Sequence, residues 1–228
     1  MDRGPFEWVM EIPTVTRLWA MAIVSISCLE YIGLLTELDF YYSTTTVFQK
    51  HQYYRLLTSF LYFGNLSFDL VFTLFFVIRH SAALEEQFHK TKDYIWFVAV
   101  ICTMVILYST FISDLYLLGS YLNDVLLFLW SRQNSDIDMS IMGIVQFKAI
   151  YLPFVYLVLG SLVKDNSGNI LNHYAVGILI GHTYDFLNSA LPKLHGGFNI
   201  VKPIWYWFEN EDDQEVLRGD NNAVGIRL

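Results

Sequence analysis

Ala175-Val176-Gly177-Ile178-Leu179-Ile180-Gly181-His182 sets two glycines four residues apart inside an apolar run near the C-terminal end. That spacing stacks both on one helix face, where a second backbone can approach closely within a membrane. His173, Gly177, Gly181 and Asp185 continue the same face at successive four-residue steps. His182 lies one position round from Gly181 and within three-residue reach of Asp185.

Outward from this run, the chain keeps the same apolar character. Its 228 residues are 54% apolar, 17% aromatic and 16% charged, whereas a soluble domain carries about 25% charged residues. The apolar residues gather into long runs, which is the pattern of a polytopic membrane protein with one domain and a tail. Much of the net charge of −8 sits in the acidic tail around Glu209 to Glu215. The basic residues are scattered singly, so no nucleic-acid surface is expected. Cys28 and Cys102 both fall in apolar runs, which argues against a disulfide framework or a metal site. No cofactor motif is present. The first apolar run lacks a clear cleavage site and is long enough to span, so it reads as an uncleaved anchor.

Six spans are expected, at residues 15–35, 56–78, 94–112, 115–130, 144–163 and 170–191. The fourth covers about 16 residues, short of the 20 that a full bilayer asks for, and it contains Asn123 and Asp124. Pro153 is expected to kink the fifth span and Pro192 to end the sixth. Residues 1–14 form an interfacial leader, 15–191 the membrane domain and 192–228 an acidic tail. The aromatic stretch 40–54 is too polar to span and reads as an interfacial loop with short helical pieces. The sequon Asn65-Leu66-Ser67 falls within the second span and is expected to stay unmodified.

An even number of spans places both termini on one side, and basic residues decide which. That side holds Arg3, Arg17, Arg79, Lys90, Lys92, Arg132, Lys148, Lys193, Lys202, Arg218 and Arg227, against Lys50, Arg55 and Lys164 opposite. Both termini are therefore expected in the cytosol, with the 40–54 loop luminal or exterior.

The paired-glycine helix resembles the last helix of rhomboid proteases, where a catalytic histidine stands just before the glycines. Their serine sits in a Gly-x-Ser-Gly pattern opening the fourth helix. Here that place reads Gly119-Ser120-Tyr121-Leu122, so Ser120 is one residue early, about 100° round a helix. The histidine position is Tyr174, with His173 one place off. The two offsets predict that Ser120 and His173 do not form a nucleophile–base pair. Asn123, Asp124, His182 and Asp185 read instead as polar groups lining a wet cavity or closing inter-helix hydrogen bonds. Glu30 and Asp124 lack the broken-helix repeats of a transporter, so structural pairing or cavity lining outweighs a proton relay.

Several further stretches carry a second resemblance. They are Ile12-Pro13-Thr14-Val15-Thr16-Arg17, the run Tyr54-Arg55-Leu56-Leu57-Thr58-Ser59-Phe60-Leu61-Tyr62-Phe63-Gly64, Leu84-Glu85-Glu86, Trp130-Ser131-Arg132-Gln133-Asn134, and residues 147–153. With the paired glycines, they make the chain similar to the Derlins, rhomboid-like pseudoproteases of endoplasmic-reticulum-associated degradation. The resemblance covers residues 8–208. It implies an all-α, six-helix rhomboid-like bundle in the endoplasmic reticulum membrane, without protease activity. It also implies a role in returning misfolded proteins to the cytosol. The partners it implies are a membrane-embedded RING-type ubiquitin ligase complex and an AAA ATPase of the valosin-containing type. The luminal Trp-Arg of the family reads Tyr54-Arg55 here, which preserves an aromatic–basic anchor. The tail Gly225-Ile226-Arg227-Leu228 matches part of a family box that binds the ATPase, without its upstream aromatic. Gly177 and Gly181 are expected to form the packing seam, and a lateral opening between the second and fifth spans is implied for clients.

Overall fold

The computed structural model describes residues 10–141, 145–163, 169–194 and 201–207. The tail positions Gly225, Arg227 and Leu228 lie outside the described residues. The fold is mostly helical. Its longer helices are α1 (Thr14–Tyr31), α2 (Phe68–Glu85), α3 (Thr91–Phe111), α4 (Leu118–Gln133), α5 (Leu152–Val163) and α6 (Asn169–Asp185). Among the described residues, α3 alone is both long enough and apolar enough to cross a membrane by length and composition.

α1 begins after Pro13, which offers no side-chain cap. Its first-turn amides are satisfied from α2 instead. Glu85 accepts from the Val15 and Thr16 backbone N–H groups at 2.9 and 2.8 Å and from the Thr16 hydroxyl at 2.8 Å. A carboxylate at a helix N-terminus also meets the favourable end of the helix dipole. α1 stops where Gly33 adopts φ +81°, a left-handed turn that glycine takes without strain.

The second span departs from the sequence reading. Residues 55–58 form a separate short helix, and α2 starts only at Phe68. Gly64 at φ +120° breaks the run, and the Ser67 hydroxyl caps the new helix by accepting from Leu70 N–H at 3.3 Å. The sequon therefore precedes α2. The helix then runs through Arg79 and His80 to Glu85, beyond the expected end at residue 78. Buried against α1, Glu85 reads as a loop residue only when its distant partner is unknown.

α4 is the central element. From Asp124 to Ser131 every residue is buried, as befits a helix packed on all sides. Its 16 residues give a length of about 24 Å. Its start is held by Ser59, whose carbonyl accepts from both Leu118 and Gly119 N–H at 3.0 Å. Gly119 is required there, because a Cβ would come within 2.8 Å of the Phe60 carbonyl oxygen.

The fifth span also differs. Residues 138–148 contain a two-stranded antiparallel hairpin, β1 (Asp138–Ile141) and β2 (Val145–Lys148), pairing Met139 with Phe147 and Ser140 with Gln146. The all-α expectation is corrected to this extent. Met139 and Phe147, directly opposite each other across the pair, share one face and pack on the main core. α5 begins at Leu152, so Pro153 sits in its first turn rather than at a kink, where its missing N–H is harmless. Pro192 does not end the sixth span. After α6 a π-helical segment, Phe186–Ala190, closes with Leu191 N–H on the Phe186 carbonyl, and a last helical turn covers Leu191–Leu194. The widened turn makes room for the proline ring.

Residues 201–207 fold back on α3. Trp96 Nε1 donates to the Val201 carbonyl at 2.9 Å, and Trp205 Nε1 donates to Asp93 Oδ1 at 3.0 Å. The Lys92 ammonium stands 5.2 Å from the Trp205 ring centre.

Candidate functional site: the α4–α6 ladder and its cavity

α4 and α6 run in the same direction and pair along their four-residue faces. Ser120 faces His173, Asp124 faces Gly177, Phe128 faces Gly181 and Arg132 faces Asp185. Each step of four on one helix matches a step of four on the other, so the register is constant along the contact. The two middle rungs need glycine. A Cβ at Gly177 would lie 2.6 Å from Asp124 Cβ, and one at Gly181 would strike the Phe128 ring. The bottom rung is an ion pair, Arg132 Nη2 to Asp185 Oδ2 at 2.8 Å, with Ser189 Oγ donating to the other oxygen at 3.2 Å.

The top rung corrects the expectation for Ser120 and His173. Ser120 Oγ lies 2.9 Å from His173 Nε2. On the far side of the ring, Nδ1 lies 2.8 Å from Asp124 Oδ2. The ring N–H is not aligned on that oxygen, so the contact is electrostatic rather than a full hydrogen bond. The two offsets were measured against an imported pattern, but both fall in one register. The glycine contacts below fix how α4 and α6 are rotated, and that rotation turns 120 toward 173. The signal was in the sequence: Ser120, Asp124 and Arg132 repeat on α4 at the same spacing as His173, Gly177 and Asp185 on α6.

Above the ladder lies a cavity of about 780 Å³ bounded by α2, α4, α5 and α6. Ser120, Asn123, Asp124 and His173 line it, together with Tyr121 and Tyr174, the residues standing where the rhomboid pattern has its serine and histidine. Tyr121 covers the histidine, with ring centres 3.9 Å apart. His182 and Asp185 do not line this cavity, and of the two roles read for them Asp185 takes the inter-helix one. His182 is exposed against the Phe128 ring, 4.6 Å between centres, and Asp185 belongs to the ion pair with Arg132. On the α2–α5 side the wall is aromatic: Phe76 meets Tyr156 edge-on at 5.4 Å, with Phe72 beside them in the lining.

The 36–55 loop is organised by Arg55. Only 9% exposed, it donates to Gln52 Oε1 and the Leu38 carbonyl at 2.6 Å, and to the Tyr41 carbonyl at 3.1 Å. Arg55 thus braces the loop from inside, while Tyr54 is the exposed member of the pair. Asp39 sits 4.0 Å from the guanidinium and accepts from the Thr36 N–H and hydroxyl. Those two hydrogen bonds hold its carboxyl below the usual carboxylate range. Glu30 is paired structurally. It accepts from the Tyr62 hydroxyl at 2.8 Å, and the Asn65 amide, turned nitrogen-first, reaches its two oxygens at 2.6 and 3.0 Å.

Known proteins share this chain's sequence along most of its length. The model of the Der1-like family matches residues 12–204. The chain belongs to this family. Among similar relatives is Derlin-2.2 of Arabidopsis thaliana, 32% identical over 208 residues, covering 85% of this chain and 83% of the relative. Another is Derlin-2 of Oryza sativa subsp. japonica, 30% identical over 238 residues, with 98% and 93% covered. A probable derlin-2 homolog of Dictyostelium discoideum is 30% identical over 199 residues, with 83% and 77% covered. Within the Der1-like match fall the α4–α6 ladder, the cavity and the Arg55 brace.

Proposed function

We propose that this chain is a non-catalytic retrotranslocation factor of endoplasmic-reticulum-associated degradation, as membership of the Der1-like family supports. In this reading it crosses the endoplasmic reticulum membrane six times with both termini in the cytosol. It works with a membrane RING-type ubiquitin ligase and an AAA ATPase, reached directly through the tail or through other subunits. Misfolded proteins are the clients.

The observation that carries the mechanism is the length of the ladder. Its polar ends, Ser120–His173 and Arg132–Asp185, are twelve residues apart, about 18 Å along a helix. The hydrocarbon core of a bilayer is about 30 Å thick. A rigid helix pair that is polar at both ends of so short a seam makes the bilayer thin or admit water around it. Either response lowers the cost of moving polar chain across. The sparse, aromatic α2–α5 side is the entry for clients, and the partner enzymes supply direction.

In cells lacking the chain, a misfolded luminal reporter should persist longer, and restoring the full chain should return its normal half-life. The Gly177→Leu variant should fail to do so. An unchanged reporter half-life without the chain would refute the proposal.

One observation favours a second reading, an intramembrane serine protease of rhomboid type: Ser120, His173 and Asp124 stand in relay order at short range. Three features weigh against it. Leu118 and Gly119 N–H, the backbone donors nearest the serine at the helix start, are already spent on the Ser59 carbonyl. Donors for a developing oxyanion must be free and preorganised. Tyr121 also covers the imidazole, and Asp124 is poorly aligned with it. A fluorophosphonate probe that labels an active rhomboid should leave this chain unlabelled. Labelling abolished by Ser120→Ala would establish the protease instead.

A further inference from the structure

We propose that the cavity bounded by α2, α4, α5 and α6 seats the basic side chain of an apolar client helix. This rests on the retrotranslocation reading and names the class of client.

Among the described residues the lining is one-sided in charge: Asp69, Asp114 and Asp124 contribute carboxylates, and no described lysine or arginine lines it. Asp69 and Asp114 are exposed, so they stand at the mouth. Asp124 is only 9% exposed and lies deep. Its Oδ2 faces the His173 imidazole nitrogen at 2.8 Å and meets no other donor among the described residues. A buried carboxylate oxygen with unused acceptor capacity is costly unless something arrives to fill it.

The chemistry that fits is a cationic hydrogen-bond donor. A lysine or arginine within an apolar helix is itself poorly placed in lipid and seeks protein acceptors or water. The cavity offers acceptors, and its low-dielectric walls focus their field. Its α2–α5 side, with Phe72, Phe76 and Tyr156, is apolar enough to pass the rest of such a helix. A glutamate on the same helix would be repelled by the two exposed carboxylates at the mouth. The cavity would thus sort membrane clients by the misplaced cation that marks an unassembled segment.

Binding can be read without degradation. The full chain is placed in nanodiscs of uncharged phosphatidylcholine, so that anionic headgroups cannot hold the cation. Synthetic apolar helices carrying one central lysine, glutamine or glutamate are then photocrosslinked to it. The lysine helix should crosslink several-fold better than the other two. Asp124→Asn should reduce its yield about tenfold, as loss of one member of a desolvated charge pair does. The double variant Asp69→Asn with Asp114→Asn, at exposed positions that leave the fold intact, should lower it as well. Equal yields for the three helices, or a lysine preference that survives both variants, would overturn the proposal. A lysine preference alongside an unchanged reporter half-life in cells would instead sink the retrotranslocation reading and leave this one standing.

Discussion

Gly177 is the position where one methyl group matters most. Its missing Cβ is the space that Asp124 Cβ occupies, 2.6 Å from where the methyl would sit. Both partners are backbone-near atoms that cannot swing away, so Gly177→Ala should cost about 1–3 kcal/mol through overpacking. Thermal unfolding in mild detergent should show the loss, and an unchanged melting temperature would contradict the seam. Arg132 and Asp185 make a contrast. Their side chains are 43% and 29% exposed, and a pair so open to solvent is worth well under about 1 kcal/mol. Removing either charge should barely move stability. The glycine seam was legible in the sequence because four-residue spacing is a geometric statement about one helix. The Ser120–His173 contact left only a matched spacing on two helices as its trace, which becomes a contact once the glycine seam fixes how the helices are rotated against each other.

Among the elements, α1 is held by a charge supplied from α2, and the 36–55 loop by Arg55 at its own end. Glu85 caps two amides at the start of α1. Glu85→Ala would leave them buried and unpaired, at about 1–3 kcal/mol, and should speed hydrogen exchange in the first turn of α1 above that of α3. The loop has its own acid sensitivity. Asp39 has a lowered pKa in the folded loop, so its contribution is fully present above the ordinary carboxylate value, near 3.9. It is lost as pH falls through the lower folded value. Proteolysis of the loop should therefore be unchanged from neutral pH to about 5 and rise only under stronger acid. Helix existence was readable from apolar runs, and α3 matches its expected bounds to within a few residues. The second and fifth spans were misplaced. Gly64 and β2 fall inside stretches read as continuous spans, and apolar content alone does not separate strand, turn and helix.

For the molecule as a whole, composition pointed to a membrane protein, yet only α3 passes for a span by length and apolarity among the described residues. The other helices are shorter or carry charges that the fold consumes: Glu30 with Tyr62, Glu85 with α1, Arg132 with Asp185. A sequence window scores such charges as exposed, because their partners lie far along the chain. The proposed orientation can be tested directly. A glycosylation acceptor inserted in the 45–52 stretch should be modified in endoplasmic reticulum membranes, and one appended to the C-terminus should not. The reverse pattern would invert the proposed orientation.

The constant register of α4 and α6 also makes the molecule unequal in the length changes it can absorb. One residue inserted between Gly177 and Gly181 would rotate everything beyond it by about 100°, carrying Gly181 off Phe128 and Asp185 off Arg132 at one stroke. The same residue inserted in the stretch joining Asn134 to β1 would leave all four rungs in step. Insertions that survive in this chain should therefore gather between the two helices and be excluded from within them.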